Sequence, residues 1–220
     1  MKDIRGNVRE EVVRRIKEVI EHIDSAEREI ARIGARKIRN GMVIFTHCHS
    51  STVMKILKRA KDEGKKFSVC NTETRPLFQG RKTARELLSY GIPVEHYVDS
   101  AARLALKKAD IMLIGFDAID ERGKVYNKIG SELFAEAAER IGVPVYACGD
   151  SWKYDNRPYE KIEERGPEEV WPNAPKGIKI KNYAFEKIDP ELITGIVSEL
   201  GIFKPRIFIK EMKRRYSSIF

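Results

Sequence analysis

Gly41-Met42-Val43-Ile44-Phe45-Thr46-His47-Cys48-His49-Ser50-Ser51-Thr52 is the stretch on which the fold turns. Met42 to Phe45 is a short apolar run, the pattern of a strand buried on both faces. Ser50, Ser51 and Thr52 can each cap a helix start. Val53, Ile56, Leu57 and Ala60 then recur at helical spacing up to Gly64. Cys48 therefore falls on a strand-to-helix turn. Free amide N–H groups and the positive end of the helix dipole favour anions there. They also lower a thiol's pKa from its free value of about 8.5. Two readings follow. Cys48 is a thiolate base or nucleophile with a phosphate docked on the serines beside it, or it is a buried, inert cysteine flanked by two hydrogen-bonding histidines. On this stretch alone the second is the commoner arrangement, since free cysteine is usually core.

Outward from Gly41 the chain alternates strand and helix. Strand patterns cover Met42–Thr46, Phe67–Asn71, Val94–Val98, Ile111–Gly115 and Val143–Cys148. Helical patterns cover Thr52–Glu63, Thr83–Tyr90, Ala101–Lys108 and Glu132–Ile141. This order predicts an α/β fold with a doubly wound, mostly parallel sheet. Polar residues follow each strand, at the carboxyl ends where open α/β sheets bind ligands. No Gly-x-Gly-x-x-Gly turn and no P-loop is present, which argues against NAD-type and P-loop nucleotide sites. Gly177–Phe185 reads as one more strand, and Pro190–Leu200 as a final helix ended by Gly201. Arg157–Gly177 is a long Pro/Gly-punctuated loop of the kind that forms lids or interface arms.

Ahead of the sheet, residues 8–39 read as one long helix ended by Asn40-Gly41. Val12, Ile16, Val19, Ile23, Ala26, Ile30 and Ile33 alternate four and three apart, a heptad seam. Such a seam packs on its own domain or on a partner subunit, so a homo-oligomer, dimer or higher, is expected. The chain divides into a helical extension, 1–40, and a domain, 41–220.

The 220 residues are 42% hydrophobic and 34% charged, the balance of a soluble globular chain. No apolar run is long enough to span a membrane. Three scattered cysteines, Cys48, Cys70 and Cys148, suit neither a disulfide framework nor a zinc site, and a reducing cytoplasm is expected. Gln79 is the only glutamine, and dense mixed charge leans towards a thermophile. The net charge of +9 permits phosphate ligands or a nucleotide effector. Basic and acidic residues interleave almost everywhere except the tail, Lys210, Lys213, Arg214 and Arg215, which reads as a solvated face rather than a nucleic-acid footprint. His47 and His49 read as orienting groups, because no third ligand completes a metal site. No cofactor is implied.

Four polar clusters stand at strand ends. They are Thr46-His47-Cys48-His49-Ser50-Ser51, Thr72-Glu73-Thr74-Arg75-Pro76-Leu77-Phe78-Gln79-Gly80, Gly115-Phe116-Asp117-Ala118-Ile119, and Asn127-Lys128-Ile129-Gly130-Ser131 with Asp150-Ser151-Trp152-Lys153-Tyr154 later. In this order and spacing they resemble the family of ribose-1,5-bisphosphate isomerase, methylthioribose-1-phosphate isomerase and the alpha, beta and delta regulatory subunits of initiation factor 2B. The resemblance runs from Gly41 to Gly201 and includes Asn182, Phe185, Pro190 and Glu199-Leu200-Gly201.

It implies a Rossmann-like catalytic domain and, in the isomerases, aldose–ketose conversion of a ribose phosphorylated at its anomeric carbon. The family's catalytic cysteine and aspartate fall on Cys48 and Asp117. The initiation-factor branch generally lacks the cysteine. Thr-His-Cys-His-Ser and Thr-Glu-Thr-Arg-Pro look closest to the archaeal ribose-1,5-bisphosphate enzymes. The residue types suit that chemistry. One acid must protonate the ring oxygen and one base must take the C2 proton. Cys48 as thiolate would be the base, and Asp117, dehydrated and so held protonated, the acid. Ser50, Ser51 and Thr52 would hold phosphate. Lys128 and Lys153 would neutralise phosphate or an enolate, and Asn127 would bind sugar hydroxyls. Arg75 and Gln79 match a segment that shapes the family's pocket. The alternative is a non-catalytic, initiation-factor-like regulatory or nucleotide-binding protein. The sequence departs from the family in its shortened N-terminal region, where Arg5-Gly6 faintly echoes a phosphate loop. It departs also at Ser131, usually threonine, and at Glu186, usually aspartate.

Overall fold

The computed structural model describes the backbone of residues 2–156 and 162–216, and the side chains of 8–156 and 162–216. A long helix, α1 (Lys2–Ala35), precedes β1 (Val43–Thr46), α2 (Ser51–Asp62), β2 (Ser68–Thr72), α3 (Gln79–Ser89) and β3 (Val94–Tyr97). Then come α4 (Ala102–Leu106), β4 (Ile111–Gly115), β5 (Ala118–Ile119), β6 (Val125–Lys128), α5 (Ser131–Arg140) and β7 (Val145–Cys148). The chain closes with β8 (Phe185–Ile188), β9 (Gly195–Ser198), β10 (Gly201–Phe203) and α6 (Pro205–Arg215).

Seven strands form one sheet in the order β10-β9-β7-β4-β1-β2-β3, parallel except for the β9–β10 hairpin at one edge. The doubly wound reading is correct. From β1 the chain builds outward through β2 and β3. It then returns to the other side of β1 with β4 and continues through β7 and β9. The strand order thus reverses between β1 and β4, which opens a crevice at their carboxyl ends.

Two apolar layers flank the sheet. Ala26 and Ile30 of α1, Ile56 and Leu57 of α2 and Leu87 of α3 pack on one face, where Ile44 of β1 points. Leu106 of α4, Phe134 and Ala138 of α5 and Phe208 and Met212 of α6 cover the other, where Phe45 points. Neighbouring residues of β1 thus enter opposite layers, as the two-residue repeat of a strand requires. α1 and α2 approach closely because Gly34 has no side chain: a Cβ there would lie 2.6 Å from Ile56 Cδ1.

Several sequence-based expectations shift. α1 runs Lys2–Ala35 rather than over residues 8–39, and ends in tight turns such as Lys37 N–H to Gly34 O at 3.0 Å. The heptad seam divides: Ala26 and Ile30 are buried, whereas Val12, Ile16, Val19 and Ile23 are exposed. The expected helix over Pro190–Leu200 is absent. A single 3-10 turn, Pro190–Leu192, capped by Asp189, is followed by β9. The apolar residues there satisfy helical and extended spacing alike. The β-branched pair Ile196–Val197, both fully buried, goes into the sheet. The strand expected over Gly177–Phe185 begins only at Phe185. It joins β5 and β6 in a separate three-stranded antiparallel sheet. Of the loop Arg157–Gly177, residues 157–161 lie outside the described residues. The helix over Ala101–Lys108 is a 3-10 turn, Asp99–Ala101, running into α4. The basic tail forms the last turns of α6, where cations suit the carbonyl end, and Arg214 pairs with Glu211 at 2.7 Å. Among the described residues no helix is long and apolar enough to cross a membrane.

Candidate functional site

A cleft of about 350 Å3 opens at the β1–β4 reversal. Its walls bring together Cys48 and the start of α2, Gln79 of α3, Asp117 beyond β4, Asn127 and Lys128 of β6, and Lys153 beyond β7. The four clusters named from the sequence thus converge on one space. Only Arg75 of the named site residues lies away from the cleft lining.

Cys48 is held tightly by backbone. It sits at φ 65°, in the left-handed region unusual for a side chain larger than glycine. Its N–H donates to Thr74 Oγ1 at 3.0 Å, and its carbonyl accepts from Thr83 Oγ1 at 2.7 Å. His47 beside it is buried and locked. Its Nδ1 meets Thr72 Oγ1 at 2.7 Å and its Nε2 meets the Ile129 carbonyl at 2.9 Å. A carbonyl can only accept, so Nε2 carries the proton. Burial drives the pKa of His47 down to about 4, and the ring is neutral. His49 bonds Thr83 Oγ1 through Nδ1 at 3.1 Å. Both histidines therefore orient the loop, as the sequence reading has it.

Ser50 caps α2, accepting from Val53 N–H at 3.3 Å. Ser51 and Thr52, in the first turn of α2, line the cleft. Gly115 makes this wall possible. A Cβ there would stand 2.5 Å from Ser50 Oγ, so the end of β4 and the start of α2 can meet only at a glycine.

The thiol departs from expectation. The helix start and Lys128 favour the thiolate, as does the N–H of His49, but burial outweighs them and raises the Cys48 pKa. Desolvation penalises a charge more than these dipoles repay. Cys48 is nonetheless only half-buried, so its sulfur is not sealed in hydrocarbon. Asp117 lines the cleft and is exposed. Loss of hydration against the wall raises its carboxyl pKa, while Lys153 and Lys128 pull it the other way. The net shift is in the direction an acid needs.

Two lysines stand over aromatic faces: Lys128 Nζ is 4.6 Å from the Phe185 ring and Lys153 Nζ 5.5 Å from Phe116. Lys153 also donates to the Phe116 carbonyl at 2.6 Å. Asn127 is turned partly inward, its Nδ2 donating to Ser131 Oγ at 3.0 Å, and Ser131 in turn donates to Lys128 O at 2.6 Å. Ser131 at the usual threonine position thus locks the turn. Glu186 accepts from Glu132 N–H at 2.7 Å and so caps α5.

Arg75 faces outward. The Asp99 carboxylate grips the amides of Thr74 and Arg75 at 2.8 and 2.7 Å. The guanidinium is directed to the Val170 carbonyl at 3.2 Å and over Phe78. It braces the loop and lines no part of the cleft. Lys82, one turn into α3 from Gln79, does line it. Sequence reasoning does not single out Lys82, although it stands three residues after Gln79. Phe185 carries the resemblance, but nothing in its surroundings marks it as a cleft wall. The lysine–aromatic wall of Lys128 from β6 and Phe185 from β8 depends on an antiparallel pairing that short runs do not announce.

The sequence model of the initiation factor 2 subunit family matches residues 3–205. The ribose 1,5-bisphosphate isomerase of Pyrococcus furiosus is 38% identical over 223 residues, covering 97% of this chain and 69% of that protein. The crystal structure of the Pyrococcus horikoshii OT3 translation initiation factor eIF-2B superposes with a TM-score of 0.80 at 34% identity, over 87% of this chain and 69% of that one. The 5-methylthioribose 1-phosphate isomerase of the same organism gives a TM-score of 0.81 at 25% identity, over 97% of this chain and 65% of that one. The chain spans about two thirds of the length of these relatives.

Proposed function

Because this chain belongs to the initiation factor 2 subunit family, we propose that its cleft isomerises a ribose 1-phosphate derivative, with ribose 1,5-bisphosphate as substrate and ribulose 1,5-bisphosphate as product. The convergence of Cys48 and Asp117 on one cleft at the β1–β4 reversal carries this reading. Named isomerase relatives support it.

The protons balance without a cofactor. Asp117 gives its proton to the ring oxygen as the C1–O bond breaks. Cys48, as thiolate, takes the proton from C2, and the C2–H pair becomes the C1–C2 double bond. The enol then gives its hydroxyl proton to Asp117 and receives the sulfur's proton at C1. Ketone and enzyme are both restored. Lys128 and Lys153 offset the negative charge of phosphate and enolate. The amides at the start of α2 dock one phosphate. Asn127 and Gln79 meet sugar hydroxyls.

The test is turnover of ribose 1,5-bisphosphate and of 5-methylthioribose 1-phosphate, run in D2O. Ketose carrying deuterium at C1 is expected with the first substrate, since a thiol proton exchanges with solvent. Absence of turnover with both would overturn the isomerase reading. The raised thiol pKa favours one alternative, a non-catalytic regulatory protein, for which a resting thiol would be sufficient. Binding of a nucleoside monophosphate without turnover would support that instead.

A further inference from the structure

β7 and β9 are parallel neighbours, and each leaves a carboxylate just past its carboxyl end. Asp150 follows β7 by two residues, and Glu199 follows β9 directly. α1 brings His22 to both. Nε2 of His22, an oxygen of Asp150 and an oxygen of Glu199 all lie within 4.8 Å of one another. The side chains of His22 and Asp150 are only 17% and 15% exposed. None of the three residues lines the cleft.

Each group is also fixed from outside the trio. The His22 ring stacks on Trp152, with centroids 3.6 Å apart and planes 8° apart. Asp150 Oδ1 accepts from Trp152 N–H at 2.6 Å. Glu199 accepts from Ser151 N–H at 3.1 Å and from the Ser151 hydroxyl. Outer contacts of this kind orient the ligands of metal sites. They leave negative charge in excess. Among the described residues, neither carboxylate pairs with a lysine or arginine. Asp150 Oδ2 is buried and has no hydrogen-bond partner. A buried anionic oxygen without a partner is costly, so something positive belongs beside it.

His22 alone does not meet that need. Its Nε2 stands 3.4 Å from both oxygens of Asp150. A charge-assisted N–H···O bond is shorter, about 2.7–2.9 Å. Two ligands that each sit about 2.0–2.1 Å from one tetrahedral ion are about 3.3–3.4 Å apart. The His22–Asp150 spacing is therefore that of ligands sharing an ion. Glu199, within 4.8 Å of both, closes the site by a small rotation of its carboxylate. We propose that His22, Asp150 and Glu199 bind one divalent first-row transition cation of the zinc type, which staples α1 to the ends of β7 and β9. An imidazole disfavours calcium and magnesium, and a set without sulfur disfavours Cu(I). The ion offsets both carboxylates and gives Asp150 Oδ2 its partner.

The experiment titrates the full, tag-free, chelator-stripped chain with Zn2+ and then with Co2+. A Cys48→Ser background keeps the cleft thiol from competing for metal. One Zn2+ per chain is expected, with a rise in melting temperature. Co2+ should show the visible bands of tetrahedral coordination without a thiolate charge-transfer band, since no sulfur belongs to the site. Two variants are placed in the same background. Asp150→Asn keeps an oxygen for Trp152 N–H, and His22→Phe keeps a ring on Trp152. Each should weaken Zn2+ binding at least ~10-fold and abolish the melting shift. Their metal-free melting curves report whether the fold survives the change. A chain that binds no Zn2+ overturns the proposal, whatever the variants do: a proton, a water or a protonated His22 then satisfies Asp150. Stoichiometric binding that the folded variants leave unchanged overturns it as well.

Discussion

The loops after β1 and β4 leave neighbouring strands and end in the same cleft. Each hides its first residue, His47 or Phe116, and presents its second, Cys48 or Asp117. Both groups have raised pKa values, and in both the largest cause is loss of hydration. The consequences are opposite. An acid is improved by keeping its proton, whereas a base is made scarce by it. Within one cleft, a single environment cannot favour both partners. The amide of His49 acts on Cys48 alone, while Lys128 lowers both groups together.

The largest expected effect comes from removing either partner. Cys48→Ser and Asp117→Asn should each lower kcat by on the order of 10²–10⁴, read by single-turnover conversion of ribose 1,5-bisphosphate. A mild effect at one position would break the symmetry between the two loops.

A pH profile sharpens the comparison next. In the proposed reaction the working form has Asp117 protonated and Cys48 ionised. Between the two pKa values each rise in pH adds thiolate and removes acid in equal proportion, so kcat should be flat. It should fall on the acid side below the Asp117 pKa and on the alkaline side above the Cys48 pKa. Lys128→Met removes a charge that lowers both, so both limbs should move to higher pH. Movement of one limb alone would show that Lys128 faces only one loop.

Gly115→Ala tests the contact between the loops themselves. With Ser50 Oγ only 2.5 Å from the new Cβ, it should destabilise the fold by about 1–3 kcal/mol, read by denaturant unfolding. Lys82→Met should raise KM by about 3- to 10-fold with kcat nearly unchanged, as loss of uniform phosphate attraction does. Smallest of all, Arg75→Ala should leave kcat/KM within about twofold, because the side chain braces an outer loop.

Much of this arrangement is legible in the residues. The apolar run Met42–Phe45 followed by capping serines is enough to place Cys48 at a strand end, and the β-α alternation gives the parallel sheet. What escapes is whatever depends on pairing at a distance. Nothing local tells Ile193–Val197 whether to coil or extend; the vacant edge beside β7 decides it. Lys128 and Phe185 form one wall because their strands pair, in register Lys128 opposite Phe185, across 57 residues of chain. Thiol ionisation escapes for a related reason. The helix start is written in the sequence, but the depth at which the sulfur lies is set by walls from four separate elements. Arg75 fails because Asp99, a residue of another strand end, turns its backbone.

The backbone at Cys48 holds a conformation that glycine would occupy with less strain. Stability alone would thus favour the smallest residue at this position, and the thiol of the proposed isomerisation is what a glycine there would remove. Cys48→Gly should therefore fold at least as stably as the wild type while removing the group the proposed reaction needs, so this one turn sets stability and chemistry against each other.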